Sequence, residues 1–118
     1  METATGEAVH VNGDGGHASY WLVGLDDHDR HIIATVGEDD HEVLELAKRG
    51  PGPLLPVDET AARAAAGLPG GRARLTWRPS PASFTPLLPV WEIVGDQRQR
   101  WVDQTGKVWD TLPLARRA

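Results

Sequence analysis

Five histidines fall between positions 10 and 41, namely His10, His17, His28, His31 and His41, and the last three stand among carboxylates in "DDHDRH" and "EDDHE". Imidazole nitrogen beside carboxylate oxygen is a donor set for Zn²⁺ or Ni²⁺, so His28, His31 and His41 are the candidate metal ligands. Neighbouring residues of a turn are not held at ligand distances, however, and His with Asp is ordinary turn composition. The first reading is a solvated turn with no metal or cofactor assigned. A small metal- or ligand-binding protein using this half of the chain is the alternative.

Other chemistries find less support. Ser19, Ser80 and Ser83 lack a G-x-S-x-G elbow and an S-x-x-K arrangement. The absence of cysteine excludes disulfides, thiolate metal sites and thiol nucleophiles. "NGDGGH" has glycines but no lysine, so it is no phosphate-cradling loop. The carboxylate pairs Asp26 with Asp27 and Asp39 with Asp40 are adjacent and point apart in any regular structure. No enzyme class follows, and a non-catalytic role is expected.

The cations are concentrated elsewhere. Residues 1–58 carry 12 Asp and Glu against 3 Lys and Arg, and residues 59–118 carry 5 against 9, so halves of −9 and +4 make up the net −5. In "RARLTWR", 72–78, Arg72, Arg74 and Arg78 alternate with Ala73, Leu75 and Trp77. Three guanidinium groups on one face repel one another unless carboxylates meet them. With Arg98 and Arg100, which precede Trp101, these arginines form a candidate interaction surface for a protein partner. The opposed halves are expected to attract, either within one chain or between two copies as a homodimer. A base-stacking platform is disfavoured because a net acidic chain repels phosphates, so no nucleic acid is expected.

The elements that must position these residues follow from pattern. "ASYWLVGL", 18–25, and "HIIATV", 31–36, predict a β-hairpin. "EDDHEVLELAKRG", 38–50, predicts a helix, with Asp39 as N-cap, Glu42 three residues on, Val43, Leu44, Leu46 and Ala47 as its stripe, and Gly50 as its stop. A second helix is predicted from the N-cap Asp58 through "ETAARAAA" to Gly67. Residues 72–78 predict a half-buried strand. "PSPASFTPLLP" is a proline-rich excursion, and "PLLPV" occurs at 53–57 and again at 86–90. Turn signals "GD" and "DQTG" divide "WEIVGDQRQRWVDQTGKVWDTL", 91–112, into a three-stranded meander. Trp77, Trp91 and Trp101 are expected to line the core, with Trp109 or Val108 continuing that face according to register.

Two segments, "DETAARAAAGLPGGRARLTWRPS" and "PVWEIVGDQRQRWVDQTGKVW", resemble a PepSY domain over about residues 58–109. The matching positions are Ala61 to Ala66, Pro89, Trp91, Glu92, Val102, Asp103, Thr105, Gly106 and Val108. The "DQTG" turn is one residue shorter than the usual form, and residues 79–88 are an insertion. The resemblance implies a short helix, a strand and a closing hairpin, together with a non-catalytic role in restraining peptidases or in protein and small-ligand interaction.

Together these readings predict an α+β fold. Its antiparallel β-sheet would comprise the N-terminal hairpin, one middle strand and the C-terminal three-stranded meander, with two helices packed on one face. Residues 1–17 would be a flexible arm and 18–118 a single domain. The acidic start "METATGEAVH" and the lack of any long apolar run lead to the expectation of a cytoplasmic chain with no membrane segment.

Overall fold

The structure, a computed structural model, describes residues 5–14, 16–27, 30–50 and 52–112. It is mostly β, with about half of the described residues in strands. In chain order the elements are β1 Thr5–Gly13, β2 Tyr20–Asp27, β3 Arg30–Gly37, β4 Val43–Lys48, α1 Glu59–Ala66, β5 Arg72–Trp77, β6 Val90–Gly95, β7 Arg98–Val102 and β8 Val108–Trp109. They form one sheet in the order β4-β3-β2-β1-β5-β6-β7-β8. Every pairing is antiparallel except the short parallel one of β1 with β5, through Asn12 with Thr76 and Gly13 with Trp77. The sheet is thus two four-stranded meanders joined side by side.

This corrects the expected two-helix α+β fold with a simple antiparallel sheet: the sheet is mixed and larger, and among the described residues a single helix accompanies it. The predicted helix at 38–50 is instead a turn followed by β4. Asp40 accepts the Glu42 backbone N–H at 2.9 Å, the His41 N–H donates to Gly37 O at 3.1 Å, and His41 sits at a left-handed φ of 55°. Asp39 and Asp40 therefore serve a hairpin, not a helix cap. Residues 43–48 then satisfy the outer edge of β3, pairing from Val36 with Val43 to Ile32 with Lys48 around a bulge at Thr35/Val36. A backbone edge that must be paired outweighs local helix propensity of a few tenths of a kcal/mol per residue.

The expected flexible arm is corrected for residues 5–13 as well. "TGEAVHVNG" alternates, and β1 pairs with β2 from Thr5 opposite Asp26 to Val11 opposite Tyr20. Glycines had suggested mobility, but Gly13 and Asp14 lie at the join between the meanders, where Asp14 N donates to Trp77 O at 3.1 Å.

Helix α1 forms as its caps dictate. Asp58 is extended (ψ 176°) and accepts the Ala61 N–H at 2.8 Å, while Gly67 closes the last turn at φ 71°. Ala62 and Ala66 are fully buried, and their small side chains let the helix lie close on β5, β6 and β7. Beside the helix, the two proline-rich segments pave the first meander. Leu54 is buried over Gly24, where a Cβ would come within 2.9 Å of the leucine methyl. Tyr20 donates its hydroxyl to Pro86 O at 2.6 Å. Both copies of "PLLPV" line one cleft of about 450 Å³, through Pro53, Leu54 and Pro56 from the first and Leu87 and Leu88 from the second.

One core runs beneath this layer, through Val11, Tyr20, Leu22, Ile33, Leu54, Ala62, Ala66, Leu75, Trp91, Ile93 and Val102. Of the expected core tryptophans, Trp91 belongs to it, and Trp77 is half-buried and packs against it. Trp101 does not join them. It stands opposite Glu92 and Trp109, residues of the other face, while Val102 takes the core position opposite Trp91. No helix among the described residues is long and apolar enough to cross a membrane.

Candidate interaction surface

With period two, each strand of the first meander sends alternate side chains to opposite faces. Val9, Leu22 and Thr35 lie in register and point into the core, the last two at 0% exposure. The intervening rows point the other way. Ala8, Val23, Ala34 and Leu46 form one row across β1 to β4, Gly6, Leu25, Ile32 and Lys48 a second, and His10, Trp21, Val36 and Val43 a third. Nine of these twelve residues are apolar, and among the described elements neither α1 nor a strand packs over them. Trp21 is 37% exposed, Leu25 43%, Val43 58% and Leu46 66%.

The rim of this face is polar. His10 Nε2 lies 3.0 Å from Glu38 Oε2, and its ring meets the Trp21 indole edge-on at 5.0 Å. On the opposite, inner face, at the end of the strands, Asp26 takes His31 Nδ1 at 2.7 Å and Arg49 Nη2 at 3.0 Å. The His31 hydrogen bond, with Arg49 adding to it, holds the Asp26 carboxyl below the usual carboxylate range. Arg49 also donates to Gly52 O at 2.8 Å, so the cluster ties the end of β4 to the loop after it.

The outer face of the second meander is of another kind. Arg72, Arg74 and Thr76 of β5, Glu92 and Val94 of β6, Gln99 and Trp101 of β7, and Trp109 of β8 share it. Arg74 Nε lies 3.5 Å from Glu92 Oε1, and Lys107 Nζ stands 4.2 Å over the Trp109 ring. Below this face the turn after β7 closes on Asp103. Its buried carboxylate accepts from the backbone of Thr105 and Lys107, from the Thr105 hydroxyl, and from Trp109 Nε1 at 2.9 Å. Burial pushes this carboxyl up, but the hydrogen bonds together outweigh it and hold the group below its ordinary value. Burial, with the Glu45 carboxylate adding to it, pushes the Tyr20 phenol above its usual range.

The five arginines singled out from sequence are not one surface. Arg72 and Arg74 lie on the outer face of β5, and exposed Arg98 is at the β6–β7 hairpin. Arg78 follows β5, donates to Leu112 O, and stands 3.7 Å from Asp14, a carboxylate of the acidic half. Arg100 is on the helix side, donating to Ala66 O at 2.6 Å and pairing with Asp110 at 3.3 Å. Of the candidate metal ligands, His28 lies outside the described residues. His31 is bound to Asp26 and His41 occupies the exposed turn before β4, so the two are not brought together. Among the described residues no three His, Asp or Glu side chains are grouped to hold a metal ion.

The chain matches no family model, no curated protein and no solved structure. Its function must be read from its own surface.

The outer face of the first meander was missed by sequence reasoning, yet it left a signal. A strand covered on one face alternates apolar with polar residues, whereas one covered on both faces reads as a continuous apolar run. "YWLVGL" and "HIIATV" are nearly continuous. They call for a second cover that no described element supplies.

Proposed function

We propose that the chain is a non-catalytic protein-interaction module that receives its partner on the outer face of β1–β4. The observation that carries this reading is the set of three in-register rows with nine apolar residues, of which Trp21, Leu25, Val43 and Leu46 are exposed, on a sheet whose other face packs into the core. Contiguous apolar surface of this kind on a small domain marks a binding site, and its rim of His10, Glu38 and Lys48 suits an interface with a polar border. The PepSY resemblance of residues 58–109 in sequence points the same way, since it implies interaction without catalysis.

The test is binding of an apolar fluorescent dye, anilinonaphthalene sulfonate, to the wild type and to a Trp21→Ser, Leu25→Lys variant. Dye binding by the folded wild type, lost in a variant with an unchanged melting curve, is the expected result. Wild-type protein that leaves the dye unbound removes the reading.

A further inference from the structure

We infer that β4 is a self-pairing edge: two copies of this chain join β4 to β4 antiparallel about a two-fold axis near Leu46, making one continuous sheet. The inference goes beyond the interaction reading above: the second copy meets the edge of the sheet and leaves its outer face open. The two ends of the sheet differ. At one end β8 has two residues, Val108–Trp109, too short a ladder to hold a strand. At the other, β4 has six, Val43–Lys48, with no proline in them. Pairing β4 of one copy with β8 of the next would leave most of β4 bare, whereas β4 against β4 uses the whole strand and closes as a two-fold dimer.

The backbone is presented for this. Arg49 N–H donates inward to His31 O at 2.9 Å, and groups alternate along a strand, so the N–H and C=O of Leu46 and Lys48 point outward. The bulge at Thr35/Val36 distorts only the first residues of β4. Val43, Leu44 and Leu46 are 58%, 59% and 66% exposed, the most open run of large apolar side chains on any strand. Charge sets the direction. An acidic turn, Glu38, Asp39, Asp40 and Glu42, precedes the strand, and Lys48 and Arg49 end it. An antiparallel copy centred on Leu46 brings Glu42 within about two residues of the other copy's Lys48, roughly 7 Å along the strand. A parallel copy would set like charges side by side. Among the described residues neither Glu42 nor Lys48 meets an opposite charge within its own chain.

Analytical ultracentrifugation of the full chain at low salt tests this, with circular dichroism confirming the fold of each variant. The wild type is expected to sediment as a dimer. Leu46→Lys, a change at an exposed position, should weaken association at least about tenfold by placing two cations at the axis. Glu42→Lys and Lys48→Glu should each weaken it, and the double swap should restore it. A wild-type monomer at every concentration, or a double swap no tighter than the single variants, overturns the inference. So does a dimer that Leu25→Lys breaks and Leu46→Lys leaves intact, because it would join through the faces of the sheets. The dye measurement separates the two readings: a monomer that binds dye overturns the dimer alone, and a monomer that does not sinks both.

Discussion

Trp91 and Trp101 stand on opposite faces of the sheet, with Trp91 paired to Val102 and Trp101 to Glu92. Trp91 is 9% exposed and donates its indole N–H to Val57 O at 2.7 Å, binding the first proline-rich segment to the core. Trp101 lies half-buried on the outer face. Trp91→Ala should cost about 3 to 5 kcal/mol and Trp101→Ala less than half of that, as read from urea midpoints. Equal losses would contradict the assignment of faces.

Asp103 makes stability depend on pH. Its carboxyl lies below its ordinary value in the folded protein, so its contribution is complete above the unfolded value of about 3.9 and is lost as pH falls through the lower folded value. Asp103→Asn should flatten the acid side of the melting-temperature profile between pH 5 and pH 2, by roughly the span over which one carboxylate titrates. Asp103→Ala, which leaves the donors of Thr105, Lys107 and Trp109 without their acceptor, should cost about 2 to 3 kcal/mol at neutral pH.

The two arginines of β7 should behave differently on truncation. Arg100 satisfies the Ala66 carbonyl at the end of α1, where a cation is also favoured by the helix dipole, so Arg100→Ala should lower stability by about 1 to 2 kcal/mol. Exposed Arg98 should change it by no more than about 0.5 kcal/mol. Thermal denaturation of both variants decides the point, and a larger loss for Arg98 would reverse their roles.

Residues 38–50 carry helix signals that only the presence of β3 overrides. A synthetic peptide of that segment should therefore turn helical in trifluoroethanol by circular dichroism, whereas the same residues in the intact protein are strand. A peptide that stays extended would mean that its own β preference, and not the neighbouring edge, decides the structure.

What could be read from sequence divides along the same line. Helix α1 was legible to the residue because Asp58 and Gly67 act on their own backbone neighbours, and the Asp103–Gly106 turn because Asp103 O accepts the Gly106 N–H three residues on. Strands β1 and β4 were not legible, since what makes them strands is the edge of β2 or β3 beside them. The arginines were scattered for a similar reason: alternation assigns a face, but not which carbonyl or carboxylate the fold brings to it. The apolar outer face was half legible in "YWLVGL" and "HIIATV", whose lack of alternation announces two covered faces without saying what covers the second.

The parallel contact of β1 with β5 has a consequence for the order of assembly. Each meander is local in sequence and can form by closing short turns, but the contact of Thr76 Oγ1 with Asn12 O spans 64 residues, and Asn12 Nδ2 to Leu75 O spans 63. Closing so long a loop is entropically costly and is repaid only once both sides are ready to dock. The seam at Asn12 is then the last region to zip and the first to open. Asn12→Ala should speed unfolding while leaving the refolding rate nearly unchanged, so that the protein's lifetime, more than its speed of formation, is set where its two halves meet.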